Sequence, residues 1–293
     1  MKSSTTKSIF AMCFACTIWG LSGIYYDQLS HIPPAEVLAH RSLWAMIFFS
    51  LVLLSQRRVP ILIKNLLVGP NFLLLGMSAL MIAVNWFAFI FAVQTSQAIQ
   101  ASFGYYIFPL VAILLGYFFK GERFSKMQTI AIFLATVSVI LLGFALRLVP
   151  MLALVIALSF GAYGLIKGFI KLGSIESVTI ETILLTPFAL SFILYSVYIK
   201  AQSNYEFINR DFFLLMASGV ITGGPLILFS FATKNLAYAT VGVLQYINPT
   251  LQFMVAVVIL FEPFNFLHAC ALLSIWIGIA IYSLESLRSE STR

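Results

Sequence analysis

The chain has 293 residues, of which 61% are hydrophobic and 9% are charged. An ordinary soluble domain is about half apolar and about 25% charged. The 17 basic and 10 acidic side chains therefore cannot cover a soluble surface of this size, and they exclude the soluble globular class. Disorder requires the opposite composition. The net charge of +7 comes from basic residues that stand singly between apolar runs, which argues against a nucleic-acid partner. We expect an all-α integral membrane protein.

The apolar runs define the predicted membrane spans. A spanning helix needs about 20 apolar residues. The stretch 65–119 carries no charge and is too long for one helix, but the polar residues 94–97 divide it into two. Taken in chain order, the ten predicted spans are 8–26, 36–54, 71–92, 99–118, 127–146, 149–167, 178–199, 212–232, 240–260 and 266–284.

The basic residues predict the orientation of these spans, because cytoplasmic connections are enriched in Lys and Arg. With the N-terminus in the cytoplasm, 13 of the 17 basic residues fall on the cytoplasmic side. Arg147, Lys200 and Arg210 fall outside, and Arg41 lies within a helix. We therefore expect both termini to be cytoplasmic.

An internal repeat is visible at an offset of about 140 residues. The second half reproduces three motifs of the first without gaps, and a chance match of apolar residues would not keep Tyr, Pro and Glu in register. The matched segments are 89–92 with 229–232, 106–109 with 246–249, and 122–124 with 262–264.

The repeat divides the chain into two five-helix units, 1–147 and 148–293. Because five is an odd number, the second unit must cross the membrane in the opposite sense to the first. A 5+5 inverted repeat of this kind is typical of secondary transporters, whose central site opens to either side.

Paired helix breaks in the two halves indicate where the substrate binds. Pro109 and Pro249 are such a pair, since each removes a backbone hydrogen bond within a predicted span. Polar and aromatic side chains surround them or lie in the middle of other spans, and we interpret these as the substrate-binding residues. They are Trp19, Asn85, Trp86, Tyr105, Tyr106, Gln245, Tyr246 and Asn248.

His40, Arg41 and Glu181 lie within predicted spans, where ionisable groups are rare and tend to be functional. His40 and Arg41 lie one to two turns inside the second span, and Glu181 lies about one turn inside the seventh. We interpret them as gating or proton-linked groups, because His titrates near neutrality and burial favours a neutral carboxyl. The alternative is that the long side chains simply extend to the nearer interface.

A set of short motifs, in order along the chain, carries a family resemblance. They are Thr17–Gly20, Ala35–Arg41, Asn85–Trp86, Ala101–Tyr105, Gly121–Phe124, Tyr163–Leu165, Glu181–Thr182 and Gln245–Thr250. Over nearly its full length the chain resembles the RarD subgroup of the EamA-type drug/metabolite transporters. The resemblance implies ten helices in a 5+5 inverted repeat, a bacterial inner membrane, and export of small metabolites or drugs.

The chain departs from the subgroup pattern at two cavity positions. Gln100 stands in place of a Glu, and Phe108 stands in place of an Asn. These changes make that half of the cavity less polar and less acidic, so a cationic drug becomes a poorer candidate. We expect a neutral or zwitterionic, partly apolar solute such as an amino acid.

The predicted function is therefore a secondary transporter, most simply an exporter, with protons as a candidate coupling ion. The alternatives are a facilitated exchanger, a sensor or scaffold that transports nothing, and a rhomboid-like serine protease using Ser22 and His268. No P-loop, HExxH or metal-ligand cluster is present, so we expect no cofactor, no metal and no enzyme activity. The expected partners are the small-molecule substrate and membrane lipid, and the expected assembly is a monomer or weak homodimer.

Overall fold

The computed structural model describes residues 2–60, 72–120, 125–145, 151–201, 210–233 and 244–264, together with 266, 269–270, 273–274, 276–278 and 280–281. All its regular elements in these ranges are helices. They are α1 (Lys2–Asp27), α2 (Pro34–Ser55), α3 (Phe72–Gln94), α4 (Ala98–Lys120), α5 (Lys126–Ala145), α6 (Met151–Phe169), α7 (Ser174–Ala201), α8 (Arg210–Thr233) and α9 (Ile247–Met254), which continues as a π-helical segment, Val255–Ile259.

Each of these helices overlaps one predicted span, and the described residues of 266–281 are also helical. Within the described ranges, six helices are long and apolar enough to cross a bilayer, namely α1, α2, α3, α6, α7 and α8. Large apolar side chains point outward, including Phe118, Phe133 and Phe188, which are 74%, 67% and 77% exposed. Such exposure would be unfavourable in water but suits a surface that contacts lipid. The structure therefore confirms an all-α membrane protein.

The connections between helices begin and end at the polar residues, as the sequence predicts. The turn between α3 and α4 falls within residues 94–97, and Ser96 adopts a left-handed backbone conformation with a φ of 56°. α2 begins at Pro34, a position where proline is favoured because the first helical N–H has no partner in the helix.

Two close helix crossings lie at positions that the predicted repeat pairs with each other. A Cβ placed on Gly20 of α1 would lie 2.6 Å from Leu251 Cβ of α9, and one on Gly161 of α6 would lie 2.6 Å from Val111 Cγ1 of α4. Gly20 and Gly161 are separated by 141 residues, and Val111 and Leu251 by 140. Residues that the predicted repeat pairs with each other therefore make matching contacts.

The two proline segments differ in backbone structure. α4 runs without interruption through position 109, whereas the chain forms a turn at Tyr246 before α9 starts at Ile247. Pro249 is buried and lies in the first turn of α9, where its missing N–H breaks no helical hydrogen bond. The side chain of Pro109 lies outside the described residues.

Glu262 connects the end of α9 to the start of α4. Its carboxylate accepts hydrogen bonds from the backbone N–H groups of Ala98 and Ile99, the latter at 2.8 Å, and the residue is buried. Burial raises the pKa of this carboxyl, while the two N–H groups act in the opposite direction. A carboxylate at a helix N-terminus satisfies N–H groups that the helix itself leaves unpaired. This contact joins segments 163 residues apart in the sequence.

Candidate functional site

Asn85 lies at a junction of three helices. Its amide nitrogen donates to the Ile156 carbonyl at 3.0 Å and to Ser159 Oγ at 3.4 Å on α6, and its amide oxygen accepts from the Tyr105 hydroxyl of α4 at 3.0 Å. The residue is only 1% exposed. Asn85 and Tyr105, both predicted to bind substrate, therefore contact each other and also hold α3, α4 and α6 together.

Tyr106 forms a hydrogen-bonded chain across the two proline segments. Trp276 Nε1 donates a hydrogen bond to the Tyr106 hydroxyl at 3.0 Å. The same hydroxyl lies 2.8 Å from Thr250 Oγ1. Thr250 in turn donates to the Tyr246 carbonyl at 2.7 Å, at the turn before α9. The structure thus places the Tyr106 segment directly against the Tyr246 segment, its predicted repeat equivalent.

Arg41 is buried among aromatic rings. The residue is 7% exposed, and its guanidinium carbon lies 4.4 Å from the centroid of the Trp86 ring and 5.4 Å from that of Tyr26. Phe89 packs edge-on against Tyr26 and Tyr105, with centroids 5.8 and 6.1 Å apart. Tyr26, Arg41, Trp86, Phe89 and Tyr105 together form what we call the Arg41 cluster. Arg41 therefore lies inside the protein and does not extend to an interface.

Glu181 lies in a second polar cluster, at the other ends of the helices. The residue is fully buried, and its carboxylate accepts from Lys167 Nζ at 2.6 Å and from the hydroxyls of Ser78, Ser177 and Tyr163 at 2.7, 3.1 and 3.3 Å. We call these five residues the Glu181 network. It joins α3, α6 and α7, and it gives Glu181 a positively charged partner that the sequence analysis did not assign.

Two other predicted site residues, Trp19 and Asn248, make contacts with residues outside these clusters. The Trp19 ring packs against Phe229 of α8 at 5.9 Å, and Asn248 Oδ1 accepts from Gln252 Nε2 at 3.0 Å. His40, Gln245 and Tyr246 are half-buried. The contacts connect Tyr105, Asn85, Trp86 and Arg41 into one region, whereas Glu181 belongs to the separate network.

Ser22, the nucleophile of the protease alternative, is hydrogen-bonded within its own helix. Ser22 is buried, and its hydroxyl donates to the Trp19 carbonyl of the same helix at 2.6 Å. His268 lies outside the described residues. A serine nucleophile is activated by a hydrogen bond to a general base, and the hydroxyl of Ser22 is instead bonded to backbone.

A cavity of about 390 Å³ opens between α2, α3 and α6. Its lining is apolar and includes Leu38, Phe87, Phe91 and Val155, of which Phe87 and Val155 are exposed. None of its lining residues is among the predicted substrate-binding residues. We therefore treat it as part of the lipid-facing surface.

Sequence reasoning missed Lys167, Thr250 and Trp276. In the sequence, Lys167 is only one of the 13 basic residues on the predicted cytoplasmic side. A signal was nevertheless present, because Lys167 and Glu181 flank a short connection between two antiparallel helices, and that geometry brings their side chains to the same end of the helix pair. Thr250 lies in the motif Gln245–Thr250 without a predicted role, and Trp276 carries no local signal.

Comparisons with known proteins place this architecture among transporters. Residues 6–144 match the EamA-like transporter family. The chain is 36% identical over 291 residues to Protein RarD of Salmonella typhi, covering 98% of this chain and 97% of that protein. The chain belongs to the RarD subgroup of the EamA-like transporter family. RarD of Escherichia coli is 33% identical over the same shares of both chains.

Other relatives bear on the function and the fold of this EamA-like transporter. An uncharacterized transporter of Bacillus subtilis, YojE, is 33% identical over 98% of this chain and 96% of its own. A solved crystal structure with 18% identity superposes with a TM-score of 0.64 over 94% of this chain and 97% of that one, which shows a shared fold. The names of the relatives indicate transporters and not enzymes, and the family is one of multi-pass bacterial membrane proteins.

Proposed function

We propose that the protein is a secondary transporter that exports a small, partly apolar metabolite such as an amino acid, or a neutral drug, by alternating access. In this proposal ten spans form two inverted five-helix halves, residues 1–147 and 148–293, in the bacterial inner membrane. Both termini are cytoplasmic, and the transporting unit is a monomer or a weak homodimer in lipid.

The symmetric helix contacts are the observation that carries the proposal. A twofold relation between the halves exchanges α1 with α6, α3 with α8 and α4 with α9. This exchange turns the contact between α1 and α9 into a contact between α6 and α4. It likewise turns the contact between α1 and α8 into a contact between α6 and α3. All four of these helix contacts are present. The Gly20–Leu251 and Gly161–Val111 pairs obey the same relation. Two pseudo-equivalent halves can exchange conformations with little change in energy, as alternating access requires.

Two polar contacts between the halves provide candidate gates. The Glu262 carboxylate ties the end of α9 to the start of α4, and Ser78 of α3 ties the first half to the Glu181 network. With the N-terminus in the cytoplasm, the first lies toward the outer face and the second toward the inner face. In the proposed cycle one contact opens while the other stays closed.

Facilitated exchange without proton coupling is the second candidate, and the ion pair of Glu181 favours it. Its carboxylate already accepts from the Lys167 ammonium group and three hydroxyls within the protein, so its charge is balanced there. If Glu181 is nevertheless the proton carrier, Glu181→Gln must change the rate or its pH dependence. Counterflow that is unaffected by a pH gradient, in the wild type, would identify an exchanger.

Counterflow in proteoliposomes tests the proposed function together with the site. Unlabelled solute inside should drive saturable uptake of the same labelled amino acid, which a channel or a scaffold would not show. We expect Tyr106→Phe to reduce kcat/KM by about 5- to 150-fold, because a lost buried hydrogen bond costs about 1–3 kcal/mol.

The matched control is Tyr198→Phe, which removes the same hydroxyl from a side chain that is 66% exposed on α7. It should transport like the wild type. Saturable counterflow with full activity in Tyr106→Phe would place the site elsewhere, while the absence of counterflow for every amino acid and neutral drug tested would contradict the transporter proposal.

A further inference from the structure

Arg41 is a cation in the interior of a membrane protein, and it has no ion-pair partner among the described residues. Within the part of the chain that the structure describes, no carboxylate lies within 4 Å of its guanidinium, and its buried Nε has no hydrogen-bond partner. Lys167, a partly buried cation of a described helix, is already paired with Glu181. Buried charges in membrane proteins are normally paired, so the guanidinium lacks the anion that its position requires.

The aromatic rings do not replace that anion. Contact of a guanidinium with ring faces contributes about 0.5–2 kcal/mol, which is less than the several kcal/mol that burial of an unpaired ion costs. Trp86 and Tyr26 contact the group through their rings and accept none of its hydrogen bonds. The planar fork of N–H donors therefore remains available, and this fork matches the two oxygens of a carboxylate.

We propose that Arg41 is the substrate-recognition residue and that it binds the carboxylate group of an organic monoanion or zwitterion. A single unpaired cation fits one negative charge, whereas a phosphate monoester would require more positive charge than the described residues of the cluster offer. The rings of Tyr26, Trp86, Phe89 and Tyr105 provide apolar walls for the remainder of the solute. This inference rests on the proposed function and names the chemical class of its substrate.

Paired probes that differ only in the carboxylate test the assignment by direct binding to the purified protein. The first pair is 3-phenylpropanoate and 3-phenylpropanamide, and the second is 4-methylpentanoate and 4-methylpentanamide. We expect at least one carboxylate to bind at least ~10-fold more tightly than its amide, since a hydrogen bond to a charged group contributes about 1.5–3 kcal/mol. The inference is wrong if neither carboxylate binds, or if each amide binds as well as its acid.

Substitutions of Arg41 test whether this residue causes the preference for the carboxylate over the amide. Arg41→Gln should bring each pair within about twofold, which corresponds to less than about 0.5 kcal/mol, and Arg41→Lys should keep part of the preference because it keeps the charge without the fork. Arg210→Gln, which removes an exposed arginine that bonds Gln28, should bind like the wild type. An unchanged preference for the carboxylate in folded Arg41→Gln would overturn the assignment. If that variant does not fold, the comparison of acid with amide on the wild-type protein still tests the inference.

Counterflow separates this inference from the proposed function. If the protein exchanges some neutral solute but neither binds nor exchanges the carboxylates, the carboxylate site is wrong and the transporter stands. If it binds carboxylates through Arg41 but no solute counterflows, the recognition site stands and the transporter proposal fails.

Discussion

Lys167→Met is expected to destabilise the folded protein by about 3–5 kcal/mol, because it leaves the buried carboxylate of Glu181 without a countercharge. The carboxylate is 1% exposed, and the three hydroxyls that remain carry no net charge. The free energy of unfolding of the detergent-solubilised protein measures the loss. The double variant Lys167→Met/Glu181→Gln should recover much of the lost stability, since the second substitution removes the unpaired carboxylate charge.

Lys171→Met is the matched control for this loss. Lys171 is exposed, it lies four residues further along the chain, and its substitution should change stability by less than about 0.5 kcal/mol. If Lys167→Met and Lys171→Met unfold at the same denaturant concentration, the Glu181 network is not the buried ion pair that the structure describes.

Gly219→Ala should destabilise the protein by about 1–3 kcal/mol through steric overlap. A Cβ at this position of α8 would lie 2.5 Å from both the carbonyl carbon and the carbonyl oxygen of Trp44 in α2. Backbone atoms cannot move aside as a flexible side chain can, so the two helices must separate. The same unfolding measurement reports the effect.

Gly76→Ala makes the same chemical change, but we expect the opposite effect on stability. A Cβ on Gly76 of α3 would meet nothing within 4 Å, and alanine is favoured over glycine in a helix by about 0.5–1 kcal/mol. This variant should therefore be as stable as the wild type or more so. Equal destabilisation by both substitutions would show that the contact with Trp44 does not determine the result.

The positions of the helices could be predicted from the sequence because each one is a long apolar run bounded by polar residues. The predicted span 36–54 and the observed α2, Pro34–Ser55, differ by only one or two residues at each end. The contacts of individual side chains could not be predicted in the same way. Arg41 meets Tyr26 and Trp86 from two other helices, and no spacing in the sequence specifies such a meeting.

In the candidate site, too, the sequence predicts some features and only the packing of the helices shows the others. The repeat indicated that the Tyr106 and Tyr246 segments are equivalent, and the structure places them in contact through Thr250. Asn85 was recognised as an unusual polar residue within a span, but its three hydrogen-bond partners become visible only when α3, α4 and α6 are packed. Sequence patterns thus identify polar residues inside a membrane, and only the packing reveals which of them already have partners.

The inverted arrangement of the two halves is tested most directly by the sidedness of equivalent positions. In a variant whose cysteines Cys13, Cys16 and Cys270 are replaced by alanine, single cysteines are introduced at Ser96 and at its repeat equivalent, Leu236. We predict that a membrane-impermeant maleimide labels Ser96→Cys in intact cells and labels Leu236→Cys only after the membrane is permeabilised. Labelling of both cysteines from the same side would contradict the inverted repeat.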